Sequence, residues 1–273
     1  MQITPSLGDS APEALIPLFK YEDKHSYASN THYSVTNECS KIQANYLKGK
    51  RFNLSGGIAS GGEIPLLALL TRSKRCVVVD HSYTSLGAFY LKALMIQKYG
   101  GLEFVRLMET YPTFLAAARS VLPLIPDQFK VQMEPSPAPE YSNRISNSIL
   151  IEMRVHWKAA HPMTLASLKD ALPRLTLVHG DLTDLAAYGK FDALYLSNAF
   201  GHVGRTKKSP VVTEVDALLK ENALILSTEG PYNKPTHWKE LHAKAGTRGG
   251  WTHRLIQRLA PLSIPALVKA MTA

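Results

Sequence analysis

The stretch Asn53-Leu54-Ser55-Gly56-Gly57-Ile58-Ala59-Ser60-Gly61-Gly62-Glu63 leads out of one apolar run and into another, Ile64 to Leu70. Glycines at such a junction permit backbone angles closed to other residues and let a ligand approach bare main chain, while the first N–H groups of a following helix have no partner within it. The chemistry this predicts is the cradling of a cofactor at a strand-to-helix turn. Two cofactor classes fit badly. Gly57 and Gly62 have the spacing of a phosphate-binding loop, but Glu63 and Ile64 stand where a Lys and a hydroxyl residue would hold phosphate and magnesium. The G-x-G-x-x-G spacing of dinucleotide enzymes is absent, and the Glu63 carboxylate would repel a pyrophosphate.

Further polar groups follow at matching positions. The run ending at Val79 delivers Asp80, 18 residues after Gly62, where a carboxylate can accept hydrogen bonds from ribose hydroxyls or simply cap a strand end. A later apolar run enters His179-Gly180-Asp181-Leu182-Thr183-Asp184, which places Asp181 to meet an adenine amino group or to cap the next helix. A further run ends in Ser197-Asn198-Ala199-Phe200-Gly201-His202. A nucleoside without phosphate satisfies all of these, and the sequence therefore predicts S-adenosylmethionine as substrate or co-substrate, with no metal. The expected contacts are Ser55, Gly56, Gly57, Ala59, Ser60, Gly61, Asp80, His81, Asp181, Leu182, Ser197 and Asn198. Tyr33, Tyr83, Tyr195 and Phe200 offer aromatic faces for a sulfonium, Asn198 or Ser197 a hold on its amino or carboxylate group, and His202 a proton acceptor near neutrality.

These groups need a frame. Phe52–Leu54, Cys76–Val79, Leu175–Val178, Ala193–Leu196 and Ala223–Leu226 are nearly continuous apolar runs, as in strands covered on both faces. Leu86, Phe89, Tyr90, Ala93 and Leu94 recur at helical spacing before Gly100 and Gly101, and residues 211–220 predict another helix. Strand alternating with helix predicts a doubly wound, Rossmann-like α/β fold with a mostly parallel sheet. About 95 residues separate the second and third runs, far beyond an ordinary crossover, so residues 102–172 are expected to be a helical lid inserted into a domain over 51–273. Residues 1–50 are expected to form an N-terminal helical cap segment.

Composition bounds the rest. The hydrophobic content of 45% suits a globular core, and no apolar run approaches the ~18 residues of a membrane span. Cys39 and Cys76 are too few for a disulfide framework, and the N-terminus lacks the pattern of a secretory signal, so a cytoplasmic protein is expected, compatible with a homodimer. The net charge of +9 invites an anionic partner. Its densest groups, Lys48, Lys50 and Arg51, then Arg72, Lys74 and Arg75, then Arg205, Lys207 and Lys208, are scattered along the chain without interleaved aromatics. They read as solvated surface, which argues for a small-molecule substrate and against nucleic acid; an RNA-binding or RNA-modifying protein is the competing class.

With these positions in place, the chain resembles the aminocarboxypropyltransferases of betaine-lipid synthesis, a branch of the class I methyltransferase-like fold. The likeness covers residues 36–108 and 174–204 and rests on Ile58-Ala59-Ser60-Gly61-Gly62, Val78-Val79-Asp80, Leu91-Lys92-Ala93, Leu177–Leu185 and Asp192–Asn198. Glu38 matches the Glu of a Trp-Glu-Asp motif, while Asn37, Cys39, Ser82 and Asn198 depart from the pattern. The resemblance implies attack on the γ-carbon of the methionine moiety with release of methylthioadenosine. The short chain and the lack of an amphipathic surface favour closure to azetidine-2-carboxylate, as in relatives of the family, or transfer to a small amine; methyl transfer to a small molecule or RNA is the alternative.

Overall fold

The computed structural model describes residues 16–24, 45–59, 64–129, 162–197, 211–228, 235–245 and 252–259. In chain order the strands are β1 (Lys20–Asp23), β2 (Phe52–Ile58), β3 (Ser73–Asp80), β4 (Leu175–His179), β5 (Phe191–Ser197), β6 (Leu219–Ser227), β7 (Trp238–Ala245) and β8 (Thr252–Arg258). The helices are α1 (Ile64–Arg72), α2 (Tyr83–Tyr99), α3 (Gly101–Leu107), α4 (Tyr111–Arg119), α5 (Pro162–Ala166), α6 (Leu168–Ala171) and α7 (Val211–Leu218), with a 3-10 segment at Leu182–Tyr188.

The strands form one sheet of eight in the order β1-β4-β3-β2-β5-β6-β8-β7. β1 to β6 run parallel, and β8 pairs antiparallel with both β6 and β7. A parallel sheet whose order reverses between β2 and β5 and which closes on a reversed hairpin is the doubly wound, class I methyltransferase-like fold, extended at one edge by β1.

The pleat divides the core as the apolar runs predict. Cys76 and Val78 of β3, Leu175 and Leu177 of β4, and Tyr195 of β5 enter the core on the α1/α2 face. Val77, Val79, Val178, Leu194 and Leu196 enter the core on the α7 face. Each fully buried Val or Leu contributes about 1.5–3 kcal/mol relative to exposure, so a one-residue slip in any of these strands is prohibitive.

Helix α2 starts where Ser82 Oγ accepts the Ser85 N–H and stops at Gly100, whose φ of 83° is open to glycine and whose N–H reaches the Ile96 carbonyl. Its middle, from Leu86 to Ile96, is buried nearly all round because a second helical layer covers it. That layer comes from the described ends of the 102–172 insertion. Phe104, Val121, Ile125, Phe129, Leu165 and Leu168 all belong to the α1/α2-side core, and a Cβ on Gly101 would lie 2.2 Å from the Leu165 carbonyl. The described parts of the expected lid therefore contribute side chains to the core; residues 130–161 lie outside the described residues.

Two expectations are corrected in position. β2 runs on to Ile58 instead of ending at Leu54, because Gly56 and Gly57 pair with β3 and β5. Within the expected helical cap, Lys20–Asp23 is an edge strand along β4. The hairpin β7/β8 is an addition that no apolar run announced, since polar and charged residues interrupt both strands, although Leu255 enters the core on the α1/α2 face and Trp238 and Ile256 enter the core on the α7 face. Trp238 anchors it: its indole donates to Asp216 Oδ1, which also takes His237 Nε2 and Arg258 Nε. Partial burial alone would raise the Asp216 carboxyl, but the hydrogen bonds from Arg258, His237 and Trp238 lower it to about 2. Among the described residues no helix is long and apolar enough to cross a membrane.

Candidate cofactor site at the C-terminal edge of the sheet

In open α/β sheets a crevice forms where the strand order reverses, because the connections leave neighbouring strands toward opposite faces. Here that point lies between β2 and β5. Gly57 sits at the seam, paired with Val78 on one side and Tyr195 on the other. Its φ is 156°, and an added Cβ would stand 2.1 Å from the Tyr195 carbonyl oxygen; a Cβ on Gly56 would stand 2.1 Å from that of Val77. These two glycines are required by the sheet itself. Close strand packing by itself thus requires glycine at Gly56 and Gly57. Ser55 is likewise interior: fully buried, its Oγ accepts from Ser73 Oγ at 2.6 Å.

The turn proper begins after Ile58. Ala59 is buried and its N–H donates to the Val79 carbonyl at 2.9 Å, tying the end of β2 to that of β3. Ser60 and Gly61 lie outside the described residues, as do Tyr33, Asn198, Phe200 and His202.

β3 ends on Asp80, which is 6% exposed and whose Oδ1 accepts the Ser82 N–H at 2.9 Å. This is the strand-end role the sequence allowed, and a carboxylate has capacity for about four hydrogen bonds, so it is compatible with ribose binding. His81 is exposed beside it, Nδ1 4.0 Å from Asp80 Oδ1. Gly180 N–H donates to the Asp80 carbonyl, bringing the end of β4 alongside. Asp181 opens the 3-10 segment in a capping box, with Asp184 Oδ2 accepting its N–H at 2.7 Å. Leu182 packs against the α7-side core.

On β5, Tyr195 is fully buried in the α1/α2-side core, so the structure removes it from the aromatic faces open to a ligand. Ser197, at the strand's last position, is 3% exposed and has φ 50°, a left-handed backbone rare outside glycine and costing of order 1 kcal/mol. The Thr228 N–H donates to its carbonyl and ties in the end of β6. A strained residue at the reversal point is where a fold stores geometry for function.

Tyr83 is held elsewhere. Its ring stacks on His179 at 3.8 Å between centroids, and its hydroxyl donates to Asp23 Oδ2 at 3.2 Å. Partial burial and then the Asp23 charge raise the Tyr83 phenol above its ordinary value, which keeps it a donor. His179, fully buried, places Nδ1 2.8 Å from Asp23 Oδ1 and Nε2 3.2 Å from the His81 carbonyl. Both ring nitrogens are engaged, so His179 braces β1, β3 and β4 together and is not disposed as a general base. Sequence reasoning passed over Asp23 and His179. The His-Gly-Asp run held the clue for the second, while Asp23 lies in a short charged segment that gives no sign of a strand.

Compared by sequence, the chain matches no family model and no curated protein. Compared by backbone, it is similar to the N-methyltransferase NodS of Bradyrhizobium japonicum in complex with S-adenosyl-L-homocysteine, at 7% identity, covering 80% of this chain and 85% of that one, with a TM-score of 0.43. It is also similar to a ribosomal protein L11 methylase of Lactobacillus delbrueckii at 10% identity, over 81% and 77% of the two chains, with a TM-score of 0.40. A precorrin 8w decarboxylase of Methanobacterium thermoautotrophicum aligns at 10% identity over 89% and 99%, with a TM-score of 0.38.

Proposed function

We propose that the chain binds S-adenosylmethionine at the β2/β5 reversal point and uses it as an alkyl donor. The observation that supports this most is the assembly of one edge: β2 leaves by a glycine-rich stretch, β3 beside it ends on buried Asp80, and β5 across the seam ends on left-handed Ser197. The donor set fits such a compound. Among the described residues that end β2, β3, β4 and β5, from Ile58–Ala59 through Asp80–Ser82 and His179–Asp181 to Ser197, none is Lys or Arg. A phosphate would meet carboxylates there, whereas a sulfonium and two ribose hydroxyls would not be opposed.

In this reading Asp80 accepts from the ribose, the backbone from Ala59 through Gly61 lies along the amino acid portion, Asp181 and Leu182 border the adenine, and Ser197 with Asn198 hold the amino or carboxylate group. Bound there, the compound supplies an electrophilic carbon on a sulfonium and a stable thioether leaving group. The chain supplies orientation and exclusion of water, with His202 as the proton acceptor of the proposal. We take the γ-carbon as the point of attack, on the strength of Ile58-Ala59-Ser60-Gly61-Gly62 and the resemblance it carries. Methyl transfer is the second reading, favoured by the strand order and by the withdrawal of Tyr195 into the core, which removes one wall from the folded-back arrangement that ring closure needs.

Incubation with S-adenosylmethionine alone, followed by mass spectrometry, separates these. Methylthioadenosine with a cyclic amino acid is the expected result. Methylthioadenosine only after a small amine is added would indicate transfer, and S-adenosylhomocysteine would establish the second reading. No product under any of these conditions would overturn alkyl transfer.

A further inference from the structure

The opposite edge of the sheet gathers charges that lie far apart in sequence. Phe52 of β2 pairs with Ser73 of β3, so Arg51 and Arg72, the residues just before them, arrive side by side. Partial burial and then the charge of Arg51 lower the Arg72 guanidinium from its ordinary value, in keeping with that approach. Lys50 precedes this pair, and exposed Lys74 and Arg75 follow it on opposite faces of β3, Arg75 lying over the Tyr188 ring at 5.1 Å from its centroid. Arg174, just before β4, donates from Nη1 to the Ser73 carbonyl at 2.9 Å and joins the same group.

Elsewhere along this edge Lys190, just before β5, donates to the Ala217 carbonyl, and two further cations are neutralised. Lys220 of β6 meets Asp192 at 2.8 Å, and Arg258 of β8 meets Asp216 at 2.9 Å. Among the described residues none of Lys50, Arg51, Arg72, Lys74, Arg75 and Arg174 pairs with a carboxylate. Asp192, which faces the start of β2, is taken up by Lys220 and by the N–H groups of Asn53 and Leu54. Exposed Asp170, one turn upstream of Arg174, leaves the group strongly positive. Unneutralised like charges held together repel one another and draw in an anion.

We propose that this N-terminal edge of β2, β3 and β4 binds the phosphodiester backbone of a nucleic acid. Neighbouring strands lie about 4.8 Å apart, so the cations of three strands span about 10 Å. Over that length one nucleic-acid strand presents about three phosphates, and the guanidinium fork matches their geometry. A lipid surface is the weaker match. The exposed large hydrophobics among the described residues are Ile16, Leu18 and Leu102, none of them in the segments that carry these cations, so those segments have no apolar side chain to insert. The edge stands about 20–25 Å from the cofactor site, the length of β3, so the two sites do not compete.

Fluorescence anisotropy with labelled single-stranded RNA and DNA of equal length tests this, alongside sedimentation with phosphatidylserine vesicles. Nucleic-acid affinity is expected to fall about 20-fold between 50 and 200 mM salt, and a preference for RNA over DNA would reveal contacts to the 2′-hydroxyl. Lys74→Gln with Arg75→Gln should weaken binding about 10-fold and flatten the logarithmic salt slope by about 1.5, and Lys74→Gln alone by about 0.7. Both side chains are exposed, and unchanged circular dichroism would confirm the fold. Nucleic-acid binding with a salt slope that these substitutions leave unchanged would overturn the proposal, as would retention on vesicles with none on nucleic acid.

Discussion

At the C-terminal ends of β1, β3 and β4 the described residues supply Asp23, Asp80, Asp181 and Asp184, whereas the N-terminal ends of β2, β3 and β4 supply Arg51, Arg72, Lys74, Arg75 and Arg174. Parallel crossovers return the chain to the same edge before each parallel strand, so residues that precede these strands collect at one end and residues that follow them at the other. Among the described residues, charges far apart in sequence are thus brought together at the ends of these strands. The acidic end suits a cationic nucleoside without phosphate, and the basic end suits a polyanion. Between them, the seam at Gly57 holds the frame that keeps the two apart.

Substitution at that seam should have the largest effect. Gly57→Ala places a methyl 2.1 Å from the Tyr195 carbonyl and should cost about 3 kcal/mol in urea unfolding, disturbing both ends at once. Asp80→Asn should act on the acidic end alone. It preserves an acceptor for the Ser82 N–H but loses charge, and S-adenosylmethionine affinity should fall by about 1–3 kcal/mol, roughly 5- to 150-fold by calorimetry, with nucleic-acid binding unchanged. An equal loss at both ends would show that they are not independent.

Asp216→Asn, in the self-neutralised part of the basic end, should cost about 1 kcal/mol and alter neither binding event. Its pH dependence has a definite sign. The folded carboxyl, at about 2, lies below the unfolded value of about 3.9, so its stabilisation is complete above that value and fades as pH falls toward 2. Acid titration of stability should therefore be shallower over this window in the variant. Smallest of all, Arg106→Gln removes an exposed pair with Glu103 and should change stability by less than about 0.5 kcal/mol.

The parallel core was legible because strands buried on both faces must be apolar throughout, and α2 because Ser82 and Gly100 mark its ends. Charged β1 and the hairpin β7/β8, whose apolar residues are interrupted by charged ones, carry no such signature. The acidic strand end at Asp80 was legible from its distance after the glycines. The role of Gly56 and Gly57 was not, since a glycine demanded by a neighbouring strand and one demanded by a ligand look alike in sequence. Tyr195 could not be placed either, because strand alternation says that a side chain faces one layer but not whether that layer is core or crevice. The basic edge depends on the β2/β3 register, which only the folded sheet displays.

Isothermal titration of S-adenosylmethionine into the folded chain and into Asp80→Asn bears most directly on the site at the β2/β5 seam. Saturable heat with one site per chain, weakened several-fold by the substitution, is the predicted result; absence of heat with the unaltered chain would contradict it.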